Sequence, residues 1–193
     1  MSYVPKILGF AGSTRKDSFN KKLAKIALEA ARLAGAEVTF LDLRDIPMPL
    51  FDEDLEREGG LPENAKKFRA LLAQHDGILI ASPEYKSSIS GVLKNAIDWA
   101  SRPIPNEAPL ACFAGKVVTL VSASPGALGG LRGLVTVRSL LSNIKCLVLP
   151  DQIAISKAHE AFDTNGKLKD LKQQASIEAL SRDMVEVIKK LKA

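Results

Sequence analysis

Five short apolar runs, separated by stretches of helical periodicity, constrain this chain more than anything else in it. They are Ile7–Ala11, Val38–Leu41, Gly77–Ala81, Val117–Val121 and Lys145–Leu149. None shows the sustained in–out alternation of a strand wetted on one face. Runs of this kind fit strands buried on both sides, and strands that alternate with helices build a parallel sheet covered by helices on both faces. The segments between them agree. From Phe19 to Ala34, Leu23, Ile26, Ala27, Ala30 and Leu33 recur at helical spacing with Lys21, Lys22, Lys25, Glu29 and Arg32 interleaved. Gly35 stands where a C-terminal cap belongs. Further helices are expected over Pro62–Gln74, about Gly91–Ser101, Leu131–Asn143 and Leu168–Leu191. In the last, Leu171, Ile177, Leu180, Met184, Val187, Ile188 and Leu191 are expected to face inward. Arg44–Leu61, with Pro47, Pro49 and Gly59-Gly60, reads as a long excursion, and excursions of that length are usually functional or part of an interface.

A chain of 193 residues can bury a sizeable core without disulfides, and residues 1–193 are expected to form a single domain. No apolar run reaches the ~18–20 residues of a membrane span, and Met1–Lys6 lacks the apolar stretch of a signal peptide, so the expected location is cytoplasmic. Cys112 and Cys146 have neither CxxC spacing nor a histidine cluster near them, which argues against a metal site; Cys146 reads as a small core residue. The net charge of +5 is spread along the chain without a basic block, and aromatics are only 5%, too few for a base-stacking platform. Nucleic acid is therefore not an expected partner. A mildly basic surface around an anionic ligand is the simpler account.

Ligands of open parallel sheets sit beyond the carboxyl ends of the strands, where the strand order reverses. Three loops lie there. The first, Gly12 to Asn20, is neither a Walker A loop nor GxGxxG, yet it offers Ser13, Thr14 and Ser18 hydroxyls, the Asn20 amide and the Arg15 guanidinium ahead of a helix N-terminus. Free N–H groups, a helix dipole and a forked guanidinium suit a monophosphate. The same residues also read as a polar turn in which Ser18 simply caps the helix. The second loop, Ser82 to Gly91, is stiffened by Pro83; its backbone can bond the polar edge of a planar ring that Tyr85 shields. Ser90 there also reads as an N-cap, and Trp99 beyond it as core. In the third, Ser122 to Arg132, Gly126, Gly129 and Gly130 with two serines allow a close approach to a flat ligand, or merely a flexible turn.

Together the loops resemble the NADPH-dependent FMN reductase family of flavodoxin-like proteins, which includes soluble quinone, azo-dye and chromate reductases. The resemblance rests on Ser-Pro-Glu-Tyr-x-x-Ser-x-x-Gly-x-Leu-Lys-Asn-Ala-Ile-Asp-Trp at 82–99, Gly-Ser-x-Arg at 12–15 and Ser-Pro-Gly-x-x-Gly-Gly at 124–130, and it spans roughly residues 6–150. It implies a flavodoxin-like three-layer α/β sandwich with five parallel strands in the order 2-1-3-4-5. It implies FMN held at its phosphate by Ser13, Arg15, Ser18 and Asn20, and around its ring by Pro83, Glu84, Tyr85, Lys86, Ser124 and Gly126. It further implies NADPH (or NADH) as hydride donor, a small-molecule electron acceptor, and a homodimer or homotetramer with contacts through Arg44–Leu61 and Glu84-Tyr85. Two positions depart from the pattern: Lys86 stands where the family usually has Asn, and Ser90 where it usually has Pro.

The expected activity is NAD(P)H-dependent two-step hydride transfer through the flavin, with the chemistry carried by the cofactor and no catalytic side chain. His75 and His159 are the only histidines, and no Ser-His-Asp set stands out. The alternative is an electron-carrier module that does not use NAD(P)H directly, though flavodoxins tend to be acidic and this chain is basic.

Overall fold

The computed structural model describes residues 3–193. A parallel sheet forms from β1 (Lys6–Ala11), β2 (Glu37–Leu41), β3 (Gly77–Ala81), β6 (Val117–Ala123) and β7 (Leu147–Ile155). They lie side by side as β2-β1-β3-β6-β7, the flavodoxin-like order. The central strands are buried on both faces because their runs are apolar at successive positions. One face packs Leu79, Val117 and Val121 against α1 (Phe19–Leu33) and α7 (Leu171–Leu191). The other packs Leu8, Phe10, Ile78, Ile80 and Leu120 against α3 (Glu63–Gln74), α4 (Gly91–Ala100) and α5 (Leu131–Asn143). Burying each such Leu or Ile contributes ~1.5–3 kcal/mol before the entropy of ordering is set against it. Among the described residues no helix is long and apolar enough to cross a membrane, and no group of three His, Cys, Asp or Glu can hold a metal ion.

The helix α1 ends as its sequence suggests. Gly35 takes φ +96°, its N–H bonds the Arg32 carbonyl at 3.0 Å, and the Ala36 N–H bonds that of Ala31 at 3.1 Å. This is a Schellman closure. Three readings are corrected. Lys21 is buried rather than on a solvated face, with Nζ 2.7 Å from Asp42 Oδ2. In α7, Leu171 and Leu191 are 80% and 59% exposed, whereas Val185 and Ser181 take inward places. The last strand does not stop at Leu149 but continues through Pro150 to Ile155. An edge strand tolerates proline at an irregularity, and here the register slips between Val118 and Leu120 of the neighbouring strand. Arg138 of α5 donates to the carbonyls of Val148 and Pro150 and to the Gln152 side chain at the slip.

The excursion after β2 contains a short helix, α2 (Glu53–Gly59), capped by Asp52. It is strapped onto α4. Asn95 accepts from the Phe51 N–H and donates to the Pro49 carbonyl, both at 2.8 Å, and Trp99 Nε1 donates to the same carbonyl at 2.8 Å. Phe51 meets Trp99 edge to face, and Arg102 lies over Phe51 while pairing with Glu56. Trp99 is fully buried, as the core reading expected.

Candidate functional site

The carboxyl ends of β1, β3 and β6 are extended into the loops by backbone bonds that continue the sheet. The Gly12 N–H reaches the Ala81 carbonyl at 3.0 Å, and the Ser82 N–H reaches Val121 at 2.9 Å. Gly12 sits so close to the second loop that an added Cβ would lie 2.9 Å from Leu93 Cβ and 3.2 Å from Pro83 Cδ. A side chain here would wedge the first two loops apart.

The first loop brings Ser13 and Ser18, both buried, to the N-terminus of α1, with Thr14 and Arg15 exposed beside them. Ser18 occupies the N-cap position in extended conformation, but its hydroxyl makes no cap bond. No acidic residue lies in the first turn of this 15-residue helix. Its leading N–H groups thus face no carboxylate and no capping oxygen, the condition under which a helix terminus binds an anion. The Arg15 guanidinium makes one long bond, at 3.4 Å, to the Asp17 carbonyl, and the Arg15 backbone N–H bonds Ser13 Oγ at 3.3 Å.

Asn20 has a different role from the phosphate contact its position implied. Its side chain is buried, donating to the Ala123 carbonyl at 2.8 Å and accepting from the Ala123 N–H at 2.9 Å. The geometry follows from the sheet. Val121 pairs with Ser82 on the β3 side, and Ala123, two residues on, points its backbone the same way after β3 has turned off. The Asn20 amide completes the ladder where the strand has ended.

The second loop folds into a small hairpin, β4 (Glu84–Tyr85) and β5 (Ser88–Ile89). Lys86 and Ser87 form its two-residue turn with φ of +51° and +64°, the left-handed pair that such a hairpin requires and that asparagine adopts more easily than lysine. Tyr85 is 55% exposed, Lys86 is exposed, and Pro83 is buried. The Glu84 carboxylate is committed to α5: it accepts from the Gly133 N–H at 2.8 Å and pairs with Arg132 at 3.2 Å. Glu84 thereby caps α5, whose own N-cap, Gly130, has no side chain to do so. Ser90, the second departure from the family pattern, donates to the Gly12 carbonyl at 2.6 Å and accepts from the Leu93 N–H at 3.2 Å, bonds that a proline could not make.

In the third loop the glycines serve different ends. Gly129 and Gly130 take φ of +62° and +96°, and added Cβ atoms would lie 2.7 Å from the Ile155 backbone and 2.0 Å from Ser122 Oγ. They are needed for packing, which corrects the reading of all three as room for a ligand. Gly126 alone stands open, with nothing nearer to an added Cβ than Ser124 Oγ at 3.7 Å. Its carbonyl accepts from the Gly129 and Lys157 N–H groups, so the segment after β7 backs this loop. Lys157, left-handed at φ +47°, was not singled out in the sequence. Neither was Asp42, whose carboxylate anchors Lys21 beside the first loop.

The two thiols stand apart from these loops. Burial pushes Cys146 up to about 12 and raises Cys112 as well, so neither supplies a thiolate near neutral pH. A groove of about 780 Å³ between α1 and α7 is lined by Ile26, Leu33, Leu171 and Gln174, not by the three loops.

The model of the family described as NADPH-dependent FMN reductase matches residues 5–160. A quinone reductase from Pseudomonas putida is 37% identical over 172 residues, covering 88% of each chain. An NAD(P)H-dependent FMN reductase from Pseudomonas aeruginosa is 36% identical over 174 residues, 90% of this chain and 89% of that one. Among solved structures, the flavoenzyme NAD(P)H:(acceptor) oxidoreductase FerB from Paracoccus denitrificans superposes with a TM-score of 0.79 at 26% identity, covering 97% of this chain and 98% of the other.

Proposed function

The chain belongs to the NADPH-dependent FMN reductase family, and from that membership we propose that it binds FMN across the three loops and reduces small-molecule acceptors at the expense of NAD(P)H. The observation that carries the reading is the N-terminus of α1. A buried N-cap serine whose hydroxyl bonds nothing in its own helix, a first turn without acid, and Arg15 alongside fit a dianionic phosphate. Ser13 and Ser18 donate to phosphate oxygens and Arg15 adds a forked pair of N–H donors. The backbone of Pro83–Lys86 and of Ser124–Gly126 would hold the ring through its N–H and carbonyl groups, with the exposed Tyr85 beside it. The chemistry supplied by FMN when bound is hydride acceptance from NAD(P)H followed by electron release to a quinone, free flavin, azo compound or metal oxyanion, in two-step ping-pong order. The protein's share is orientation and exclusion of water, which requires no acid–base side chain.

The whole chain acts as one cytoplasmic domain in this reading, assembled as a homodimer or homotetramer. Exposed Leu128, Leu131 and Val135 on and before the outer face of α5, with Tyr85 beside that helix and Leu50 in the excursion, supply apolar surface for such a contact. Sedimentation that finds a monomer at micromolar concentration with full flavin content would count against assembly. The activity is tested by steady-state NADPH oxidation with a benzoquinone and added FMN. Turnover with parallel-line double-reciprocal plots supports the reading; FMN binding without NADPH oxidation supports an electron carrier instead.

A further inference from the structure

The three loops are joined pairwise, each pair by one polar side chain. Ser90 ties the second loop to the first through the Gly12 carbonyl, Asn20 ties the helix after the first loop to the start of the third through Ala123, and Glu84 ties the second to the helix after the third through Gly133. The ties form a closed ring, and all three come from different elements: α1, the hairpin strand β4 and the N-cap of α4. Ser90 and Asn20 are buried, and the Glu84 side chain is only 11% exposed.

Each tie also serves its own surroundings, but each spans two elements that meet at the loops. A helix N-cap such as Ser90 is satisfied by Leu93 alone, yet its hydroxyl also reaches across to Gly12. α5 has an N-terminal segment, Gly130 to Gly133, in which an added Cβ at Gly133 would lie 3.1 Å from Glu84 Cβ. That segment is shaped to admit a capping carboxylate from another loop. The left-handed Lys86-Ser87 turn is unfavourable for non-glycine residues, and the Glu84 tie at the base of the hairpin offsets that tendency to open.

We propose that Ser90, Asn20 and Glu84 are positioning residues for the cofactor, closing the three loops into a ring that is rigid before anything binds. The inference rests on the reading of these loops as the FMN site. Its physical basis is that a loop already held in its bound conformation does not have to be ordered by the ligand. Loss of one tie therefore weakens binding without removing a contact to the ligand. A helix cap and a single buried bond are each of the size that corresponds to about a tenfold change in affinity.

The experiment titrates FMN into apo protein by fluorescence quenching, for the wild type, Glu84→Ala, Glu84→Gln and Ser90→Ala, with the visible spectrum of each bound flavin recorded. The expected result is a loss of about tenfold in FMN affinity for Glu84→Ala and Ser90→Ala. The bound-flavin spectra of both should relax toward that of free FMN. Glu84→Gln, which still offers an oxygen to the Gly133 N–H, should recover most of the loss. If Glu84→Ala fails to fold, Ser90→Ala carries the test, since α5 keeps its cap. Wild-type affinity and spectrum in the alanine variants would overturn the positioning roles. So would a Glu84→Gln variant as weak as Glu84→Ala, because the charge rather than the cap would then matter. A wild type that binds no FMN overturns the assignment of the site itself, an outcome distinct from either.

Discussion

Replacing Asn20 with alanine isolates the bond that finishes the sheet at the site. The variant removes both the donor to the Ala123 carbonyl and the acceptor for its N–H, and Ala123 is 3% exposed. Two buried backbone groups lose their partners where no strand is present to replace them. At ~1–3 kcal/mol for each unsatisfied group, the loss is about 2–6 kcal/mol. In a chain of this size, at about 2–4 °C per kcal/mol, that lowers the melting temperature by roughly 4–24 °C. The assay is urea unfolding followed by circular dichroism, with Asn20→Asp as a companion. Aspartate still accepts from the Ala123 N–H, but in its ionised form it sets a second oxygen against the carbonyl. Burial and that carbonyl raise its folded-state pKa above the unfolded value. The variant should therefore recover stability in acid, where the carboxyl donates to Ala123, and lose it as pH rises through the raised value. A loss under about 0.5 kcal/mol for Asn20→Ala, the range of an ordinary surface change, would refute the ladder-completing role.

Gly130→Ala should cost about 2–4 kcal/mol, because a left-handed residue would drive its Cβ to 2.0 Å from Ser122 Oγ; urea midpoints measure it, and wild-type stability would show that the turn relaxes freely. Both cysteines should resist a thiol reagent at pH 8 in the native protein and react fully in denaturant, since burial raises both thiols and pushes Cys146 up to about 12. Asp76 gives an acid limb to stability. Partial burial acts to raise its pKa, but the Lys6 N–H, the Tyr3 hydroxyl and the Lys192 ammonium outweigh that and hold it below the usual value. A lowered folded-state pKa stabilises fully above about pH 4, the unfolded value, and its contribution disappears as pH falls through the lowered one. Asp76→Asn should flatten that limb in melting curves taken from pH 7 to pH 2.

The sheet was legible because its strands are apolar on both faces, and the order of five strands followed from the family pattern in the loops. What stayed hidden was whatever depends on pairing across long sequence separations. Pro150 read as the end of a strand because the side chains that rescue an irregular edge, Arg138 above all, lie on another element. Lys21 read as a solvated lysine because its partner Asp42 follows a different strand. At the candidate site, the sequence placed three loops at the carboxyl ends of neighbouring strands, but it did not show which of their side chains bind the protein itself. Asn20 and Glu84 are polar residues at the mouth of the sheet in either case. Only the positions of Ala123 and Gly133 show that they bind the protein's own backbone. Helix α2 was missed because its seven residues, Glu53–Gly59, carry no apolar stripe and depend on Asp52 and on the Asn95–Trp99 clamp for their place.

The most direct measurement of the FMN assignment is the visible absorption spectrum of protein supplemented with FMN, desalted, and then mixed anaerobically with NADPH. Retained bands near ~370 and ~450 nm that bleach on addition of NADPH are expected for a flavin held in the loops and reduced directly by nicotinamide. Bands that persist after NADPH would contradict the reductase, and a colourless desalted protein with no FMN-dependent NADPH oxidation would contradict the flavin site.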